Sequence, residues 1–289
     1  MQRALRHIWL CADDYGMSPG VSAGIRELIS LERINATSVM VTSPHFNKDE
    51  AAALNALNSG KKRAAIGLHV TLTAPFNPLS NDFEPLRRGR FLSLNDVLRS
   101  AVARRLKTDA LATEIAAQLQ TFIGIFGHPP DFADGHQHVH LFPQIRDAFL
   151  KVVALKAPNA WVRQCGRRRS RGHPLGPKVL VLDILSVAFR RKARGLGIAF
   201  APAFAGTYAF HAKVKYAELF PGFLRGLPDG ALIMCHPGFV DSELKALDSL
   251  TNLRERELAY FNSDAFPQVL ADHGVTLAPP LAKTPAPPR

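Results

Sequence analysis

Asp13 and Asp14 stand side by side in "LCADDYG", and far downstream "DGHQHVH" sets His136, His138 and His140 at alternate positions behind Asp134. Carboxylates and neutral imidazoles are the donors that hold a divalent cation, and a cation so held polarises a carbonyl and acidifies bound water. In an extended strand, residues two apart share a face, so the three imidazoles are expected to point one way, with Gln137 and Val139 opposite. A metal site and a row of polar rim residues on a half-buried strand both fit that spacing. His69 in "IGLHVTLT", Arg163 in "AWVRQC" and His236 in "IMCHPG" complete the set of candidates. With a metal, one carboxylate can serve as base toward water and a separate histidine can protonate a leaving group, which is hydrolysis of an amide or ester. No Gly-rich phosphate loop, GxSxG elbow or Cys–His nucleophile pattern competes with this chemistry.

Elements that would position these residues alternate along the chain. "HIWLCA", "ATSVMVTS", "AAIGLHVTLT", "PDFADGHQHVHLF", "AWVRQC" and "ALIMCHPG" read as strands, and amphipathic helical stretches separate them. Ser93 and Thr108 are expected to cap two of the helices, and Pro143 to open a third. "PKVLVLDILSVAFRRKARG" and "LDSLTNLRERELAYFN" each read as one helix. Such alternation predicts an α/β fold with a parallel sheet, open or closed into a barrel. The candidates come at or just past the carboxyl ends of expected strands, the edge at which such sheets bind ligands. No linker interrupts the pattern, so residues 1–276 are expected to form one domain, and the Pro- and Ala-rich 277–289 a disordered tail.

The 289 residues are 47% hydrophobic and 21% charged, which suits a soluble globular chain with a sizeable core. The start has a short basic stretch but no small-residue cleavage site, so the expected compartment is the cytoplasm. Cys11, Cys165 and Cys235 show no CxxC spacing and are expected to be small buried residues, not a disulfide framework or a thiolate zinc site. Net charge is +12, and from Arg163 to Arg194 ten cations face the single acid Asp183. That segment reads as solvated basic surface or as contact with an anionic membrane face; nucleic acid is not expected as a partner.

The segments "CADDYGMSPGVSAGI", "INATSVMV", "IGLHVTLT", "GHPPDFADGHQHVHLFPQI" and "IMCHPG", in this order, resemble the YdjC-like (ChbG/HpnK) carbohydrate deacetylases. The resemblance implies a distorted, incomplete (β/α) barrel related to polysaccharide deacetylases. It also implies removal of acetyl groups from N-acetylated amino sugars with one divalent metal, zinc or magnesium first, manganese or cobalt as alternatives. Carried over, Asp14, His69 and His136 match the metal ligands, Asp13 the catalytic base and His236 the general acid. Asp134 would orient a neighbouring imidazole, while His138, His140, Arg163 and Tyr15 would line the site as supports or substrate contacts. Tyr15 stands where phenylalanine is commoner, and Gln137 replaces a frequent histidine. Substrates of such enzymes are soluble chitooligosaccharides or sugar-bearing hopanoid lipids, and the second would bring the chain to the inner membrane face. A metal-dependent phosphoesterase and a non-catalytic basic binding protein are the alternative functions, and a homodimer is left open.

Overall fold

A computed structural model of the chain describes residues 4–81, 83–167, 177–211 and 213–278. Its centre is β1 (Arg6–Tyr15), buried throughout from Ile8 to Tyr15, as a parallel strand covered on both faces must be. On one side follow β2 (Ala36–Val39), β3 (Ala65–Val70), β4 (Phe132–Gly135) and β5 (Trp161–Val162); on the other come β7 (Ala231–Cys235) and β6 (Phe204–Ala205). All of these pairings are parallel. The two ends of the sheet approach through segment 199–205: the Val162 N–H donates to the Ala199 carbonyl at 2.9 Å, and the Phe204 N–H to the Gly166 carbonyl at 3.2 Å. The result is a distorted, incomplete (β/α) barrel whose weakest wall is built from two-residue strands.

Helices α1 (Pro19–Ser30), α2 (Lys48–Leu57), α3 (Leu94–Val102), α4 (Thr108–Phe126), α5 (Ile145–Lys156), α6 (Pro177–Gly195), α7 (Tyr216–Leu224), α8 (Ser242–Leu247), α9 (Asn252–Asn262) and α10 (Ala265–Asp272) surround the sheet. Ser93 caps α3 as its sequence position implies, accepting from the Asp96 N–H at 3.3 Å. Thr108 is instead the first helical residue of α4, whose cap position is Lys107. Helix α5 opens at Ile145 and not at Pro143, because Gln144 turns into a positive-φ conformation and its side chain bonds the Leu106 backbone. The single helix expected over 247–262 is broken between Leu247 and Asn252. Close to the carboxyl end, β8 (Val275–Leu277) pairs with the start of β1, and the Ala278 N–H donates to the Ile8 carbonyl at 2.8 Å. The remainder of the Pro-rich segment lies outside the described residues. Among the described residues no helix is long and apolar enough to cross a membrane.

The interior is layered, as barrel interiors are. A lower layer holds Trp9, Phe132 and Trp161, with ring centroids 5.5 Å apart for Trp9–Trp161 and 4.5 Å for Phe132–Trp161. Further toward the carboxyl ends of β1, β3 and β4 come Cys11, Asp13, His69 and Asp134, with Arg163 just beyond β5. Gly67 lies beside Phe132 in register, and a Cβ there would come within 2.4 Å of the Phe132 ring. The polar layer thus rests on an aromatic floor that fits only because position 67 has no side chain. Gly67→Ala should cost about 1–3 kcal/mol of stability through overpacking, read as a lower Tm. Unchanged melting would mean that the floor yields without strain.

Candidate active site

The acids are part of β1 and do not follow it. Register with β2 shifts between Ala12 and Tyr15, and Asp14 sits at φ 70°. A bulge of this kind re-aims side chains, and a left-handed non-glycine residue costs roughly 1–2 kcal/mol. Its consequence is that the two neighbouring carboxylates enter different pockets.

Asp13 meets Arg163. The guanidinium donates Nη1–H to Oδ2 at 2.6 Å and Nη2–H to Oδ1 at 2.5 Å, and Nη2 lies 2.6 Å from Asp134 Oδ2. Ser38 Oγ adds a donor to Asp13 Oδ1 at 3.3 Å. Burial pushes the Asp13 carboxyl up, but the arginine outweighs it and holds the pKa well below the usual carboxylate range. Cys11, Asp13 and Asp134 converge closely enough to suggest a second metal-binding group, but the Arg163 guanidinium already supplies its positive charge.

Asp14 meets two histidines and a second arginine. Its Oδ1 is 3.0 Å from His136 Nδ1 and 3.3 Å from His69 Nε2, while Oδ2 accepts from Arg254 Nη2 at 2.6 Å. Behind His69, Nδ1 lies 2.5 Å from Asp134 Oδ1, its partner in register on β4. The ligand atoms of Asp14, His69 and His136 lie within 4.8 Å of one another. These residues fit a divalent cation on chemical grounds. With its Nδ1 proton given to Asp134, a neutral His69 aims an Nε2 lone pair at a carboxylate oxygen, an arrangement that requires a cation between them. In the metal-free chain a proton meets that demand: burial lowers the His69 pKa, but Asp134 and the other acids raise it to about 10.

The histidine row does not form a strand. β4 ends at Gly135, and His136–Leu141 form a 3-10 helix in which Gln137 and His138 have φ of 53° and 62°. Left-handed residues cannot continue a pleat, so the three rings fan out instead of sharing a face. His136 reaches Asp14. His138 places Nδ1 3.5 Å from Cys165 Sγ and meets Phe204 edge-on. His140 Nε2 lies 2.9 Å from the Arg163 carbonyl oxygen, its ring packed against Phe149 and Phe189, and burial lowers its pKa to about 4. It supports the main chain that carries Arg163 and has no direct place among the cluster's donor atoms.

His236, just past β7, is half-buried with an enclosed Nδ1 that has no hydrogen-bond partner among the described residues. Its main-chain N–H donates to Glu257 Oε2 at 2.6 Å, and Phe210 lies edge-on with centroids 5.5 Å apart. Burial lowers its pKa to about 4 against the opposing pull of Asp14 and Asp13. Tyr15 is not brought to the cluster: its hydroxyl donates to the Glu50 carbonyl at 2.7 Å and accepts from Arg26 at 2.8 Å, tying β1 to α1 and α2. Sequence reading missed Ser38, Arg254 and Glu257. The last two lie in "LRERELAY", where alternating charges look like an exposed helix face. All three cysteines are buried and unbridged.

Fold and site together define a (β/α)-barrel protein with a candidate divalent-metal centre at the carboxyl edge of its strands. The chain belongs to the YdjC-like protein family, whose model matches residues 7–272. It is 30% identical over 265 residues to a chitooligosaccharide deacetylase of Salmonella heidelberg (strain SL476), covering 91% of this chain and 93% of the relative. A chitooligosaccharide deacetylase of Citrobacter koseri is 29% identical over 270 residues, covering 92% and 94%. Among solved structures, a candidate cellobiose-phosphate cleavage protein from Enterococcus faecalis V583 superimposes with a TM-score of 0.72 at 20% identity, covering 95% of this chain and 97% of that one. That likeness is one of fold.

The buried titrating groups give the metal-free chain a defined pH profile. His140 and His236, with pKa lowered to about 4 from 6.5, bind fewer protons folded than unfolded between those values, so their contributions rise with pH there. Glu257, pushed by burial from 4.5 to about 7, opposes them over that range. His69, raised to about 10, contributes fully below 6.5 and loses that contribution as pH climbs toward 10. Below about pH 6 the histidine pair outweighs the single acid, and above it Glu257 and His69 together outweigh the pair, so the chelator-treated protein should melt highest at roughly pH 6–6.5. A divalent cation displaces the extra His69 proton and should flatten the alkaline limb. Melting curves across pH, with chelator and with zinc, check this; an alkaline limb indifferent to metal would place the ion away from His69.

Proposed function

We propose that the chain is a divalent-metal-dependent hydrolase that removes the acetyl group from an N-acetylated amino sugar. The observation that carries this reading is the pairing of Asp14 Oδ1 with His69 Nε2 and His136 Nδ1, beside a second carboxylate held ionised by its own arginine. The names of the two bacterial relatives support an N-acetylated sugar as substrate. Asp14, His69 and His136 would hold the ion. When bound, it polarises the acetamide carbonyl and makes water acidic enough to lose a proton near neutral pH. Asp13 accepts that proton, its orientation fixed at both oxygens by Arg163. His236 delivers a proton to the sugar nitrogen as the C–N bond breaks, so water is divided between acetate and the freed amine. The ring must take up that proton before the bond breaks, since burial keeps it neutral in the free chain. A phosphoesterase with paired metals would want a second open donor group, and the only other group among the described residues encloses Arg163.

Acetate release from N-acetylglucosamine oligomers, with and without chelator, tests the activity. Asp13→Asn should keep the metal and lose turnover by ~10²–10⁴-fold, the usual worth of a general base. His69→Ala and His136→Ala should lose the metal, and full occupancy in both by elemental analysis would remove this ligand set.

One feature favours a lipid-borne sugar over a free oligosaccharide. Helix α6 exposes Leu180, Val181, Ile184 and Val187, the last two lining a shallow depression with Arg191. The helix is tied to residues just beyond β5: Asp183 pairs with Arg167, Ser186 Oγ accepts from the Cys165 N–H, and Arg190 donates to Gln164. An apolar strip flanked by cations therefore stands at the site-bearing edge, the pattern of a helix that lies on an anionic bilayer. Arg168, Arg169 and Arg171 lie outside the described residues. Each exposed cation near such a surface adds about 1 kcal/mol, so the chain should sediment with anionic vesicles at low salt and be released by high salt or by Ile184→Glu with Val187→Glu. Equal activity on lipid-linked and soluble acetylglucosamine, with no vesicle binding, would return the substrate to a soluble chitooligosaccharide.

A further inference from the structure

Helix α9 carries Arg254 and Glu257 one turn apart, 1% and 0% exposed, while Glu255 and Arg256 between them face solvent. Burying two charges on one helix face is costly where apolar side chains would pack as well. Each reaches a different half of the site. Arg254 Nη2 donates to Asp14 Oδ2 at 2.6 Å and to Asp248 Oδ2 at 2.8 Å, and its Nε donates to the Leu250 carbonyl at 3.0 Å. Asp248 and Leu250 lie in the break between α8 and α9, so that break forms the socket for the arginine. Glu257 accepts the His236 N–H at 2.6 Å through Oε2 and the Tyr208 hydroxyl through Oε1.

We propose that α9 clamps the two halves of the catalytic centre: Arg254 is the positioning residue for Asp14 and Glu257 the positioning residue for His236. The inference rests on the metal-hydrolase reading above for the roles of Asp14 and His236. Arg254 occupies Asp14 Oδ2 and leaves Oδ1 turned toward His69 and His136. The His236 ring has no hydrogen-bond partner on Nδ1 among the described residues; Phe210 meets the ring edge-on, and Glu257 holds the main chain from which the ring projects. A single helical turn then fixes the spacing between the ion-binding carboxylate and the proton donor.

The test separates the two contacts. Zinc affinity, measured by calorimetry, should weaken about tenfold or more in Arg254→Met and less in Arg254→Lys, the range seen when a ligand's supporting partner is removed. Glu257→Ala should leave zinc affinity within about twofold, lower kcat about 10–100-fold with little change in KM, and shift the His236 ring resonances of the metal-free protein. Glu257→Gln should restore most of both, since its amide oxygen can accept the His236 N–H while its NH₂ donates to Tyr208. Thermal melts identify any variant that fails to fold, and the Lys and Gln variants then carry the comparison. Equal loss of zinc affinity on both sides would reduce α9 to a structural support and overturn the clamp. So would tighter zinc binding in Arg254→Met, or unchanged kcat and His236 resonances in Glu257→Ala. If the wild type releases no acetate from any sugar yet the zinc and resonance effects appear, the deacetylase reading fails while the clamp stands.

Discussion

Asp13 and Asp14 are 2% and 1% exposed, near the end of a strand that is apolar from Ile8 to Ala12. An ionised carboxylate in such a place costs several kcal/mol unless it is paired and hydrogen-bonded. Two adjacent ones also repel each other unless the backbone turns them apart. The left-handed kink at Asp14 does the turning, and two arginines remote in sequence do the pairing. Arg163 arrives as the residue after β5 and Arg254 on α9, so the barrel must close around β1 from both sides before both acids are neutralised. Much of the architecture near the site can be understood as the means of delivering those two guanidiniums.

Arg163 has the heavier dependence. It is wholly buried and touches Asp13, Asp134 and Cys11, so its position follows from the β4–β5 register. That two-residue pairing is reinforced from the far side: the turn after β4 swings His140 under the arginine's own carbonyl. The stretch whose spacing suggested three imidazoles on one face thus supplies one candidate ligand, one side chain against Cys165, and one brace for the arginine that pairs with Asp13. Gly135 permits the turn, since a Cβ there would lie 2.9 Å from the His140 ring.

Strand–helix alternation was legible because long apolar runs with β-branched residues leave little choice, and the placement of polar residues at strand ends pointed to one edge. The resemblance of "ADDYG" and "DGHQHVHLFP" to a known family selected Asp14, His69 and His136, which the structure does bring together. What stayed hidden depended on tertiary contacts. Asp14, Gln137 and His138 take positive φ where local propensity favours extended chain, and only the pockets around them account for it. Arg254 and Glu257 sit in a charge-rich helix whose pattern is that of a solvated face. β8 carries the fold into the first residue of the Pro- and Ala-rich end, and Asn35 secures the next by donating to the Ala278 carbonyl at 2.9 Å. Tyr15 was drawn to the site by its neighbours in sequence, but the bulge turns its ring toward α2.

Charge is not balanced among the buried groups of the site. Asp13, Asp14 and Asp134 face Arg163 and Arg254 in a region closed to solvent, with His140 and His236 held neutral by burial. Three carboxylates against two guanidiniums leave one negative charge, and Asp248 at the margin adds a share of another. The deficit is local: each oxygen of Asp13 meets Arg163, and Asp14 Oδ2 meets Arg254, so the unmatched charge lies at Asp14 Oδ1 and Asp134 Oδ1, the two oxygens that flank His69. A proton on that ring satisfies the pair in the free chain. A divalent cation held at Asp14 would do so with charge to spare, while the ring would keep its Nδ1 proton for Asp134. That surplus is what such an ion would supply to polarise a substrate carbonyl.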